Sequence, residues 1–185
     1  VARDLYTPGS DLEIKTNYLE VEQIVHEGDV ISLGDETITV IETKGHTDCS
    51  LTYAVEPMNL LICCESTGLI ESLTYVNTPI LKSFDDAMES LAKVRSYGAK
   101  YVCLPHFGLL PTDFNEKYWD MFKAGCDEVV DFARKWRNDG LTIEEMVQEY
   151  YNRYWNPLFI KEQPKKAYLI NTEATVKAAL KAAYR

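Results

Sequence analysis

The chain has three histidines, and two of them, His46 and His106, stand where strand-like runs stop. His46 follows the β-branched run Thr37, Ile38, Thr39, Val40, Ile41 and a Lys44-Gly45 turn. His106 follows Lys100 to Leu104 and Pro105. Between them the apolar run Leu60 to Cys64 stops at a carboxylate, Glu65, ahead of Ser66-Thr67-Gly68. Imidazole nitrogens and carboxylate oxygens are donors that hold zinc, and strand ends are where loops place such donors on a rigid sheet. Taken singly, the same residues also read as a hydrogen-bonded loop histidine and a solvated strand-end carboxylate. His26 stands alone and reads as structural or exposed, and Cys63 and Cys64 read as small core residues.

These residues need elements to carry them. Val1 to Thr16 is polar and reads as a loop, and Tyr18 to Val25 alternates as a strand does. Val30 to Leu33 and Thr37 to Glu42 flank a Gly34-Asp35 hairpin turn, and Leu51 to Val55 and the Leu60 run continue the antiparallel series. From Gly68 a loop runs through Asn77-Thr78-Pro79. A helix then starts at Ser83, with Asp86 three residues on, shows an apolar face of Phe84, Met88, Leu91 and Val94, and ends at Gly98. Strand, helix and strand make one α/β layer, with helices on one face of the sheet.

Beyond Pro111 the pattern is helical. Tyr118, Phe122, Gly125, Val129, Phe132 and Trp136 recur at spacings of four and three and predict a long amphipathic helix ending near Asn138-Asp139-Gly140. Thr142 with Glu145 is a capping box for a helix running to about Trp155, before Pro157. A last helix is expected from about Thr172 to Ala183. The aromatic cluster Tyr150, Tyr151, Tyr154, Trp155 and Phe159 packs, or walls a cleft or dimer contact. The division expected is a β-rich part over residues 1–110 and a helical extension over residues 111–185 packed on it, because apolar stripes need something to pack on.

Composition narrows the class. A chain of 185 residues with 46% hydrophobic and 26% charged residues suits a soluble globular protein. A net charge of −10 argues against nucleic acid or an anionic membrane as partner. Five cysteines without a Cys-x-x-Cys pair argue against a disulfide framework and a zinc ribbon, and suit reduced thiols in a cytoplasmic protein. No apolar run reaches the length of a membrane span. The sequence opens on Val1 rather than Met, so an upstream continuation is expected.

The order Gly45-His46-Thr47-Asp48-Cys49-Ser50, then Glu65-Ser66-Thr67-Gly68, then Tyr101-Val102-Cys103-Leu104-Pro105-His106-Phe107-Gly108 resembles the second half of the metallo-β-lactamase superfamily. The likeness covers roughly Val21 to Gly108. That family's His-x-His-x-Asp-His motif is absent here. Its usual acidic ligand is aspartate and here is Glu65, and its usual proline before Gly-His is here Lys44.

The resemblance implies an α/β (α+β) fold, namely the C-terminal half of an αββα sandwich with a helical C-terminal extension. It implies zinc as cofactor, two ions in the intact site, with iron or manganese as substitutes. His46 would serve one ion, Glu65 would bridge both, and His106 would serve the other. No further catalytic residue is identified. Three ligands over two ions are too few, so a missing N-terminal half, on the same polypeptide or a separate chain, or else a homodimer partner, is expected to supply the rest and to cover the exposed sheet face. The implied reaction is hydrolysis of a small thioester or ester of the glyoxalase II type through a metal-activated water. Two other readings stand beside it: a metal-free remnant or interaction subunit that keeps the fold, and an oxidoreductase using iron, which no flavin-binding segment supports.

Overall fold

The computed structural model describes residues 20–156 and 163–185. In chain order its elements are β1 (Val30–Leu33), β2 (Glu36–Glu42), β3 (Leu51–Glu56), β4 (Leu60–Ile62), β5 (Leu69–Ser72), β6 (Tyr75–Asn77), α1 (Phe84–Tyr97), β7 (Tyr101–Leu104) and β8 (Gly108–Leu109). Three helices follow: α2 (Asn115–Asn138), α3 (Ile143–Tyr154) and α4 (Lys165–Ala183). Six strands form one sheet in the order β1-β2-β3-β4-β7-β8, and β5 with β6 forms a separate hairpin. Every neighbour in the sheet is antiparallel except β4 and β7, which run parallel with Leu60 opposite Tyr101. A parallel pair needs a crossover, and α1 provides it.

Side chains alternate across the sheet, so the register sorts them into two faces. Ile41, Ala54, Leu61, Val102 and Leu104 share one face and join a core with Leu91 and Val94 of α1, Tyr118 and Phe122 of α2, Met146 of α3 and Val176 of α4. Ile31, Ile38, Tyr53, Ile62, Tyr101 and Leu109 share the other. Val40 and Val55 of the same face are buried, but none of those six belongs to the core, and Ile62, Tyr101 and Leu109 are 41%, 37% and 59% exposed. A sheet face of this composition is the kind that normally packs against another layer.

The helix signals act locally and as expected. Ser83 accepts a hydrogen bond from the Asp86 N–H at 3.1 Å, and Gly98 closes α1 in the left-handed region at φ 67°. Thr142 and Glu145 form both bonds of the capping box on α3.

Three expectations need correction. The stretch after Gly68 is a hairpin, β5–β6, rather than a loop; its register breaks between Ile70 and Ser72, which hides the alternation. The last helix begins at Lys165, seven residues before Thr172, because Pro164 presets its entry and Asn171-Thr172, which resemble a cap, are carried through by packing. Among the described residues, 20–25 form no strand; Val21 and Ile24 are 77% and 74% exposed and no ladder pairs with them. The segments 1–19 and 157–162, with the Val1 to Thr16 loop and Phe159, lie outside the described residues.

Candidate metal centre

The rim of the sheet where β2, β4 and β7 end gathers the three side chains singled out in the sequence. The Glu65 carboxylate lies between the two imidazoles, its Oε2 2.7 Å from His46 Nε2 and its Oε1 2.9 Å from His106 Nε2. His46 is the better buried of the two histidines, and His106 stands 70% exposed at the mouth. His106 adopts a left-handed backbone, φ 61°, the kind of strained conformation a non-glycine residue holds only where its surroundings impose it.

The loop that carries His46 is fastened to other segments. The turn carrying His46 is closed by Thr43 N–H donating to Ser50 O at 3.0 Å and docks on the start of α1, where Lys82 N–H donates to Gly45 O at 3.0 Å. Ser90 of α1 donates to Lys44 O at 2.7 Å. Gly45 makes this approach possible: its φ is +134°, and a Cβ there would lie 2.8 Å from the Ala87 Cβ. Glu65 opens a single 3-10 turn, Glu65–Thr67, which ends at Gly68 with φ 93°. Asp48 pairs with Lys82 at 3.1 Å on the exposed side of the turn.

His46 is held in one tautomer. Its Nδ1–H donates to the Pro79 carbonyl at 2.5 Å, which leaves Nε2 facing Glu65. A hydrogen bond from Nε2 to the carboxylate then makes the ring an imidazolium. Burial pulls the His46 pKa down, yet the bonds to Glu65 and Pro79 and the Glu65 charge outweigh it and leave it raised. The His46 bond, opposed by burial and assisted by His46's charge and by His106, holds the Glu65 carboxyl down at about 2.

Nε2 would offer its lone pair to a metal ion in place of that second proton, and a backbone carbonyl on the other ring nitrogen is the usual outer support for a metal-binding histidine. The donor types therefore fit zinc. The carboxylate that would hold the ion already lies 2.7 and 2.9 Å from the two imidazoles that would hold it too. The fit is partial in number: each imidazole meets a different carboxylate oxygen, giving two donors at either end. Among the described residues no group of three His, Cys, Asp or Glu side chains closes into a metal cage.

Other candidates fall away from this point. His26 lies in the turn before β1, its backbone N–H bonded to Asp29 Oδ2 at 2.8 Å. Cys64, although next to Glu65, contacts Thr43 Oγ1 at 3.2 Å. Two residues that sequence reasoning missed are Pro79, which acts through a backbone carbonyl and so leaves no side-chain signal, and Ser66, whose Oγ accepts the His46 N–H at 3.0 Å.

The sequence matches no protein-family model. No curated protein is significantly similar to it. Solved structures do match it. A metallo-beta-lactamase family protein from Thermus thermophilus superposes with a TM-score of 0.58 at 17% identity, over 85% of this chain and 47% of the other. A beta-lactamase domain protein from Burkholderia ambifaria superposes with a TM-score of 0.64 at 16% identity, over 88% of this chain and 46% of the other. This chain has a metallo-β-lactamase fold. It spans about half the length of those two proteins. Among the described residues of this metallo-β-lactamase-fold chain, no helix is long and apolar enough to cross a membrane.

Proposed function

We propose that this chain is the C-terminal half of a metal-dependent hydrolase, dividing into a β-rich part (1–110) and a helical extension (111–185), that acts on a small thioester or ester in the cytoplasm. The observation that carries the proposal is the Glu65 carboxylate shared by His46 and His106, with His46 locked by Pro79 so that Nε2 faces it. Zinc bound there would lower the pKa of a bound water toward neutrality and polarise a carbonyl. Within this chain His46 holds one end of the centre, Glu65 spans it, and His106 closes the solvent-facing end. A net charge of −10 and the position at a sheet rim suit a small molecule rather than a nucleic acid.

The remaining ligands belong, on this reading, to an N-terminal half whose sheet lies on the face carrying Ile62, Tyr101 and Leu109. Cys103 and Leu109 of that face lie on β7 and β8, the strands that flank His106, so whatever covers the face also reaches the centre. A pair of copies meeting through the same face is the other arrangement that would cover it. The incomplete donor shell favours a second reading, a metal-free subunit that keeps the fold.

Elemental analysis of the purified full-length protein, with its intact mass, separates the two. About two zinc ions per protein, falling in His46→Ala and His106→Ala together with thioester hydrolysis, is the expected result. A full-length protein that takes up no metal overturns the hydrolase and leaves the subunit.

A further inference from the structure

Glutamate reaches its carboxylate through one more rotatable bond than aspartate, so a shared position between two imidazoles demands a well-fixed backbone beneath it. The backbone beneath Glu65 is a 3-10 turn of three residues, with two bonds of its own from main-chain N–H groups, Thr67 to Cys64 O at 3.2 Å and Gly68 to Glu65 O at 3.1 Å. A turn so short does not hold itself. Besides the contact of the capping Cys64 with Thr43, two hydroxyl bonds fasten the turn to segments outside it. Ser66 Oγ accepts the His46 N–H at 3.0 Å, and the Tyr118 hydroxyl donates to Thr67 O at 2.9 Å.

The Tyr118 bond is buried and the Ser66 bond is part-buried. Ser66, Thr67 and Tyr118 are each 0% exposed. Tyr118 and Phe122, one turn apart on α2, are the two largest fully buried side chains among the described residues. Gly68 lies against them so closely that a Cβ there would come to 2.6 Å from Phe122 Cδ2 and 3.1 Å from the Tyr118 hydroxyl. The turn is thus clamped between the His46 loop and a helix that begins only after His106 in the chain.

We infer that Tyr118 and Ser66 are positioning residues for the metal centre: their hydroxyls set the turn so that the Glu65 carboxylate divides between His46 and His106. This rests on the metal-centre reading above. It makes α2 part of the machinery of the site, where the spacing of Tyr118 in an apolar stripe suggests core packing alone. The hydroxyl is the part that packing does not require, and a phenylalanine would fill the same space.

Tyr118→Phe and Ser66→Ala in the full-length protein test it, with zinc affinity measured by competition against a chromophoric chelator. In chelator-treated protein, the ring resonances of His46 and His106 report directly on where the carboxylate sits. Tyr150→Phe is the comparison, a buried tyrosine packed on Tyr154 of α3. Each of the two test variants is expected to weaken zinc binding about tenfold or more and to shift both sets of ring resonances. Tyr150→Phe is expected to lower the melting temperature and leave both readouts as they were. A Tyr118→Phe protein that loses thermal stability alone, with zinc affinity and ring resonances unchanged, overturns the inference. Should that variant fail to fold, Ser66→Ala decides by the same two readouts. A wild-type protein that takes up no zinc sinks the metal-centre reading, and the ring resonances then decide the positioning role independently.

Discussion

The sheet rim and the helix caps are held by different kinds of bond. At the helix starts the caps are local, as with Ser83 to Asp86 and Thr142 to Glu145, three residues apart in each case, while between helices the bonds are longer in reach, as with Arg153 to Glu128 across 25 residues. At the rim they join segments far apart in the chain: His46 to Ser66 across 20 residues, His46 to Pro79 across 33, Lys44 to Ser90 across 46 and Thr67 to Tyr118 across 51. The helical layer buries most of the large side chains, while the rim keeps charged groups half in water. Stability and site geometry are therefore carried by separable sets of contacts, and they meet where α2 touches the Glu65 turn.

Raising the pH strikes the buried core hardest. Burial pushes the Cys63 thiol up to about 12 and raises Cys126, Tyr118 and Tyr150 above their ordinary values. An acid whose folded pKa is raised stays protonated in the fold while the unfolded chain ionises, so stability is full below the ordinary value and falls as pH rises past it. Denaturant titrations should show a decline that starts near the ordinary thiol value of 9.0 and steepens by up to about 1.4 kcal/mol per pH unit for each such group. A stability that stays flat to pH 11 would contradict the burial of these four groups. Next comes Phe122→Ala, which should cost about 3–5 kcal/mol by denaturant titration. It is also the truncation expected to cross the divide, since Phe122 bears on Gly68, and zinc binding should weaken with it.

Smaller effects sharpen the separation. Thr142→Ala removes the side-chain half of the capping box on α3 and should cost about 1 kcal/mol with no change in zinc affinity. His106→Ala is the converse. Its side chain is 70% exposed, so stability should move by less than about 0.5 kcal/mol while zinc uptake and hydrolysis fall. If Thr142→Ala altered zinc binding, or His106→Ala unfolded the chain, the two regions would not be energetically distinct.

Legibility followed the same line. The ends of α1 and the start of α3 could be read because their capping residues act within one turn. The β5–β6 hairpin could not, since a register break interrupts its alternation, and the start of α4 was masked by Asn171-Thr172, which are polar enough to cap yet lie in the helix because the core holds them. His46, Glu65 and His106 could be picked out by their order and strand-end setting. Pro79, Ser66 and the role of Tyr118 could not, since a carbonyl, a serine and an aromatic in an apolar stripe carry no distinguishing pattern.

Residue types and spacing alone determined the capped ends of α1 and the start of α3, the donor atoms offered at three strand ends, and a net charge of −10. Only the tertiary structure decided that one carboxylate lies within hydrogen-bond reach of both imidazoles, which face of the sheet is covered, and that α2 clamps the turn beneath Glu65. The reason is distance along the chain: capping and alternation are set by neighbours within a few residues, whereas the geometry at the rim depends on contacts spanning 20 to 51 residues, which exist only once the core has drawn those segments together.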